Sequence, residues 1–361
     1  MDLVTPALRK PETIDKFTLA DWNIFIRQAR AASLLATFGK TLQSTAVFET
    51  VPEEVKRHLL SAEIYAARQQ KAVLYEVRKL KQIFPDKPVR FILLKGAAYV
   101  YKQLPASDGR TMTDIDIMVK KDELPTIERT LLSQGWSHAE LDDYDDRYYR
   151  NWAHEIPPLK HGGRGTSLDV HHSIFPVISR YSPDITQIWN NTVFAEDNQI
   201  GVLCREDMII HSATHLFMEG DFDKGLRDLN DINSLLKELK GKNDWESLAR
   251  RARLLNLEEP VFYAIRYCQR LIGSQFPEDH TALSILSTSP NKLKMMDFLF
   301  GRALRPHHST AECRFFKFAL FILFIRGHLI KMPLHILLPH LFKKAIKGVF
   351  KSKKDEHSLG P

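Results

Sequence analysis

The sequence predicts an α+β fold in which a small mixed β-sheet sits between an N-terminal and a C-terminal helical region. Three observations lead there. Apolar and acidic residues alternate from Asp114 through Val119, the period of a strand with one face buried. The apolar run Val89 to Leu94 follows Pro85-Asp86-Lys87-Pro88 and reads as a short buried strand. From about residue 19 to residue 85, and again from Glu206 onward, the pattern is helical.

Each element follows from local chemistry. In the N-terminal stretch Ile64, Ala67, Val73, Leu74 and Val77 predict an apolar helix face, and Gly39 and Pro52 predict breaks. Gly96 to Leu104 reads as a helix after the first strand, and Gly109 marks a turn before the acidic strand. A helix is expected from Asp122, with that acid as its cap, to a stop at Gly135. Trp136 to Ser173 reads as further strands, with Gly162-Gly163-Arg164-Gly165 as a hairpin turn before Asp169. Such a glycine-rich loop could also touch phosphate, but the turn is the simpler role. Helices are then predicted at 206–219, 224–240, 244–254 and 258–272. The chain divides into an N-terminal helical region (1–85), an α/β core (86–200), a C-terminal helical region (201–312) and a tail (313–361). No internal repeat is apparent.

At 361 residues and 44% hydrophobic, the chain supports a large core and more than one lobe. Cys204, Cys268 and Cys313 are far apart and form no CxxC or Cys/His zinc spacing, which predicts a reduced, cytoplasmic protein. The first residues lack a basic stretch followed by an apolar run, so no signal peptide is expected. The net charge of +7 is local. Arg314 to Lys354 holds ten Lys or Arg and no acid, while everything before Arg314 sums to about −1. Overall pI is therefore no argument for nucleic-acid binding.

The tail has its own pattern. Phe318 to Ile325 is wholly apolar, Arg326 and Lys331 interrupt it, and Pro333 and Pro339 break its continuity. The run is too short for a span of ~20 residues. It fits a helix lying on an anionic membrane at its inner face, or a helix packed on the core and followed by a disordered basic end from Lys351 to Pro361. The Phe, Leu and Ile content favours either of these roles over nucleic-acid binding.

On the acidic strand, Asp114 and Asp116 share one face, and Ile115, Ile117 and Val119 share the other. Adjacent carboxylates repel, and a shared divalent cation relieves both the repulsion and the cost of burial. His211 and His215 lie on one helical face and could serve a metal or a phosphate, or simply pack. Asp231 is one turn after Arg227, which allows an intrahelical ion pair.

A wider ordered set joins this strand: Leu94-Lys95-Gly96-Ala97, Arg110, Asp114 to Val119, Gly135-Trp136, His154 and Leu168-Asp169-Val170-His171, then His211 to His215 and Arg227 to Asp231. It resembles the uncharacterised nucleotidyltransferase family of the DNA polymerase β-like superfamily, over roughly residues 90 to 235. The resemblance implies a nucleotidyltransferase core that moves a nucleoside monophosphate from an NTP to an acceptor and releases pyrophosphate. It implies two Mg²⁺ ions on Asp114, Asp116 and Asp169, with Asp169 helping to remove the acceptor's proton. Gly96 would let the backbone approach a phosphate, and Lys95 and Arg110 would contact the triphosphate. His171 would line the same cleft, and Arg227 or Asp228 would face it from the substrate side. The chain departs from the superfamily in having Gly96-Ala97 where Gly-Ser is common, and a longer interval to Asp114. The acceptor class stays open between small molecule, glycan and peptide, in polysaccharide or peptide biosynthesis. Two alternatives stand beside it: a non-catalytic nucleotide-binding scaffold, and a toxin–antitoxin type nucleotidyltransferase.

Overall fold

In the computed structural model, which describes residues 1–84, 89–138, 143–196, 198–276 and 289–339, a reciprocal cap starts the first long helix. Thr18 Oγ1 accepts from the Asp21 amide, and the Asp21 carboxylate accepts from the Thr18 amide. Helices α1 (Val4–Arg9), α2 (Leu19–Ala31), α3 (Leu35–Gln43) and α4 (Glu53–Ile83) form the N-terminal region. Trp22, Phe25 and Phe38 anchor its core, with the Phe25 and Phe38 rings edge-to-face at 4.8 Å.

Pro52 does end one element, as the N-cap of α4, but Gly39 lies buried inside α3 and breaks nothing. The face expected on α4 is also corrected in part. Val73 and Val77 are buried, whereas Ile64 and Ala67 are exposed. A polar residue takes their place toward the neighbour: Glu63 is buried and accepts from Gln43 Nε2 at 2.8 Å. Apolar periodicity cannot register a buried carboxylate.

The middle of the chain gives β1 (Phe91–Leu93), α5 (Lys95–Tyr101), β2 (Asp114–Met118), α6 (Leu124–Ser133), β3 (Trp136–His138), α7 (Asp143–Trp152), β4 (Leu159–His161), β5 (Ser167–His171), α8 (Ile185–Asn190), β6 (Val193–Phe194) and β7 (Ile200–Val202). They build one seven-stranded sheet in the order β3-β4-β5-β2-β1-β7-β6. It is mixed: β2 runs parallel to β5 and antiparallel to β1. The fold is thus α+β with helical flanks. The loop 162–166 turns β4 into its antiparallel partner β5, with Gly165 at φ +68°. Gly135 stops the chain after α6 at φ +86°. Asp122 is not the cap of α6; Glu123 stands at that position and makes no side-chain capping bond, and Pro125 enters the first turn. Helix α7 falls in a stretch expected to be strands, because its composition is strongly polar and its helical period rests on three aromatics alone, Tyr144, Tyr148 and Trp152.

The C-terminal region is α9 (Arg205–Met218), α10 (Gly225–Leu236), α11 (Lys242–Leu254), α12 (Glu258–Tyr267), α13 (Pro290–Ala303) and α14 (Phe316–Lys331). Helix α9 packs against α10, α11, α12 and α14, and one apolar core runs from α4 through the sheet into these helices. The three cysteines are unpaired. Among the described residues no helix is long and apolar enough to cross a membrane. The break at Pro85 to Pro88 and the basic end from Lys351 to Pro361 lie outside the described residues.

Candidate active site

Strand β2 lies between β1 and β5, so its two faces meet opposite environments. Ile115 and Ile117 are buried in the core, while Asp114 and Asp116 point to the other side and line a cleft of about 330 Å³. Parallel pairing places Asp116 beside Asp169, and Met118 beside His171. Register alone therefore unites carboxylates more than fifty residues apart in sequence.

Strand β1 passes into α5 through Lys95, which holds a left-handed φ of 44°. Its Nζ lies 2.9 Å from Asp116 Oδ1, and His171 Nε2 lies 3.0 Å from the same oxygen. Burial alone would raise the Asp116 carboxyl, but Lys95 and then His171 hold it well below the ordinary range. No cation is bonded to Asp169 among the described residues: burial first, then the Asp116 and Glu155 charges, push it up to about 7 against the opposing effect of His171. Burial and Asp116 raise Asp114 as well. His171 would be lowered by burial, yet the bond to Asp116 and the Glu155 charge raise it.

The glycine after Lys95 is required by packing. A Cβ at Gly96 would sit 2.1 Å from Arg110 Nη1. That guanidinium is buried and fixed, with Nε donating to Asp231 Oδ2 at 2.6 Å. Asp231 therefore pairs with Arg110 across the fold, and the intrahelical Arg227–Asp231 pair does not form; Arg227 bonds to Asp228 at 2.7 Å instead. Asp228 also lies 4.0 Å from Arg110.

Of the residues singled out in the sequence, Lys95, Gly96, Arg110, Asp114, Asp116, Asp169, His171 and Arg227 line this one cleft. Asp228 stands behind it, bonded to Arg227. His215 reaches the cleft, whereas His211 is buried behind it, where burial lowers its pKa. Sequence reasoning missed Glu155 and Glu219. His215 Nδ1 lies 2.8 Å from Glu219 Oε2. Burial alone would raise the Glu219 carboxyl, but His215, His154 and Lys95 hold it well below its ordinary value. His154, present in the ordered set without a role, also lines the cleft.

A family model described as "Uncharacterised nucleotidyltransferase" matches residues 18–273. The chain belongs to this family. The matched span contains every cleft residue named above, together with helices α2 to α4 and the sheet. Membership supports nucleotidyl transfer as the general activity and an NTP as substrate, and enzymes of this kind generally use divalent metals. Searches of curated proteins and of solved structures gave no match.

A second cavity of about 530 Å³ opens beside the cleft and shares Ser33, Thr111, Met112, Thr113 and Lys224 with it. Its far wall comes from the helical region and includes Arg30, His58 and Tyr65. Together the two cavities offer room on the scale of a nucleotide and a second reactant.

Proposed function

We propose that the protein transfers a nucleoside monophosphate from an NTP to an acceptor hydroxyl, with Asp114, Asp116 and Asp169 as the metal-binding carboxylates. The cross-strand pairing of Asp116 with Asp169 carries this reading. The residues suit Mg²⁺: they are hard oxygen ligands, and the raised carboxyls of Asp114 and Asp169 mark surplus negative charge that a cation would offset. Bound Mg²⁺ would neutralise the triphosphate and acidify the acceptor hydroxyl.

The chain's own groups do the rest. Lys95, Arg110 and Arg227 set positive charge along the cleft floor, where pyrophosphate develops charge as it leaves. The acceptor oxygen forms a bond to the α-phosphorus, the bond to the bridging oxygen breaks, and Asp169 takes the acceptor's proton. The adjoining cavity houses the acceptor, whose class stays among small molecules, glycans and peptides. Positioning supplies most of the rate.

Calorimetric titration of each of the four common NTPs with Mg²⁺ tests the reading on the wild type and on Asp114→Asn/Asp116→Asn. Metal-dependent binding that disappears in the double variant is expected. Absence of binding at any magnesium concentration would overturn it and leave a scaffold that kept the fold.

A second reading concerns location, and α14 favours it. Phe316, Ala319, Leu323 and Gly327 are buried, but Phe318, Phe321, Ile325 and Leu329 form an exposed stripe on the other side. Arg314, Lys317 and Lys331 flank that stripe. This combination suits peripheral contact with an anionic membrane surface.

A further inference from the structure

Beside the aspartates stands a cluster that the three-aspartate chemistry does not use. The segment ahead of β4 is tied to the end of β5: the Ile156 amide donates to the Val170 carbonyl at 3.0 Å, the His172 amide to the His154 carbonyl at 2.7 Å, and Glu155 and His171 form a β-bridge. These bonds fix His154, Glu155 and His171 side by side, with one donor atom from each within 4.8 Å of the others.

Each imidazole has a carboxylate on its Nε2 side. His171 is 2% exposed; its Nε2 faces Asp116 Oδ1 at 3.0 Å. An ionised carboxylate only accepts, so Nε2 carries a proton, and Nδ1 is the nitrogen whose lone pair a cation would take. Nδ1 is buried with no hydrogen-bond partner among the described residues, and it lies 3.4 Å from Glu155 Oε2. His154 follows a looser version of the pattern: Nε2 is 3.8 Å from Glu219 Oε1, an ion-pair distance beyond hydrogen-bond reach, and Nδ1 is buried without a hydrogen bond among the described residues. A carboxylate behind one ring nitrogen and an unsatisfied second nitrogen is the arrangement that outer-shell acids impose on metal-binding histidines.

We infer that His154, Glu155 and His171 hold a borderline divalent cation of the zinc class, at a site separate from the aspartate cradle. Two imidazole nitrogens and one carboxylate suit Zn²⁺ or Fe²⁺ better than Mg²⁺, which prefers oxygen alone. Donors of a tetrahedral site with ~2.1 Å bonds stand about 3.4 Å apart, and the Glu155–His171 edge already has a 3.4 Å separation. Asp116 and Glu219 add negative charge around the cluster, opposed by the Lys95 ammonium. A cation there would also fix His171 against Asp116, tying this site mechanically to the first. The inference does not depend on nucleotidyl transfer.

Full-length protein stripped with a chelator is titrated with Zn²⁺ in the presence of excess Mg²⁺, and with Co²⁺ to read visible d–d absorption. The expected result is one tightly bound equivalent that Mg²⁺ does not displace. Glu155→Gln and His154→Ala should weaken it by more than the ~10–100-fold typical of losing an outer-shell partner, while Asp114→Asn leaves it intact. No stoichiometric uptake, wild-type affinity in the Glu155 and His154 variants, or loss in Asp114→Asn would each overturn the inference. Should His154→Ala fail to fold, Glu155→Gln carries the test, because Glu155 is partly exposed and the change nearly preserves its shape. Nucleotide binding with Mg²⁺, measured on the same samples, reports separately on the aspartates.

Discussion

Gly96 has no space for a methyl group, and the atom in its way cannot move cheaply. Arg110 Nη1 would stand 2.1 Å from the new Cβ, and Arg110 is anchored by Asp231 at 2.6 Å. Gly96→Ala should therefore strain the α5 entrance, lower stability by about 1–3 kcal/mol as overpacking does, and weaken binding of Mg²⁺·NTP. Thermal unfolding and calorimetry check both effects; wild-type values would mean that Arg110 gives way freely and is not a fixed part of the cleft. At this scale much of the site was legible. The alternation from Asp114 to Val119 sets which side chains leave the core, and Asp169 and His171 share a face for the same reason. Glu155 and Glu219 were not legible. The first is placed by a bridge to β5 and the second follows the end of α9, and neither position has a local pattern. The role of Asp231 was missed for a related reason, since its partner lies 121 residues away.

Among the elements, α14 matters because it abuts the turn that carries Glu219. A Cβ at Gly327 would lie 2.6 Å from the Glu219 carbonyl oxygen, so helix and turn touch backbone to backbone. Arg326 secures the contact by donating to the Phe217 carbonyl at 2.6 Å and lying 3.4 Å from Glu259. Glu259 also pairs with Lys292 of α13 at 3.0 Å and accepts from Tyr263 at 3.1 Å. Burial alone would raise the Glu259 carboxyl, but Lys292 and Arg326 hold it below its ordinary value. A lowered folded-state pKa means stability that is complete above the unfolded value of ~4.3 and lost as pH falls through the folded one. Amide exchange in α14, corrected for intrinsic rates and global stability, should thus lose protection below about pH 4. Glu259→Gln should already show reduced protection at neutral pH and little further pH dependence. Equal, pH-independent protection in both proteins would show that apolar packing alone holds the helix. The sequence made the existence of these helices readable, because their apolar periods are long. It hid α7, whose composition is polar, and the α4 face, where Glu63 replaces an apolar side chain.

For the whole molecule, charge and exposed apolar surface coincide at one end of the chain. The ten Lys and Arg residues between Arg314 and Lys354 exceed the entire net charge of +7, and the Phe318, Phe321, Ile325 and Leu329 stripe lies in the same region. A 16-residue helix is ~24 Å long, short of a span but well suited to lie in an interface. Each term has its own signature. Electrostatic attraction requires anionic lipid and weakens as salt shortens the screening length from ~10 Å at 0.1 M to ~3 Å at 1 M. Apolar insertion depends on the phenylalanines and changes little with salt. Full-length protein should co-sediment with phosphatidylserine-containing vesicles, and far less with neutral phosphatidylcholine ones. Phe318→Glu/Phe321→Glu, which alters only exposed positions, should remove most of the binding while leaving thermal stability near wild type. Replacing Lys317 and Lys331 with Gln should instead lower affinity by about 1 kcal/mol per charge near the surface, and reduce the salt dependence. Retained vesicle binding in the phenylalanine variant would exclude α14 as the inserting face, and indifference to lipid charge would exclude the electrostatic contribution. If both contributions hold, α14 brings the chain to a membrane, and a membrane-borne acceptor becomes the first to assay.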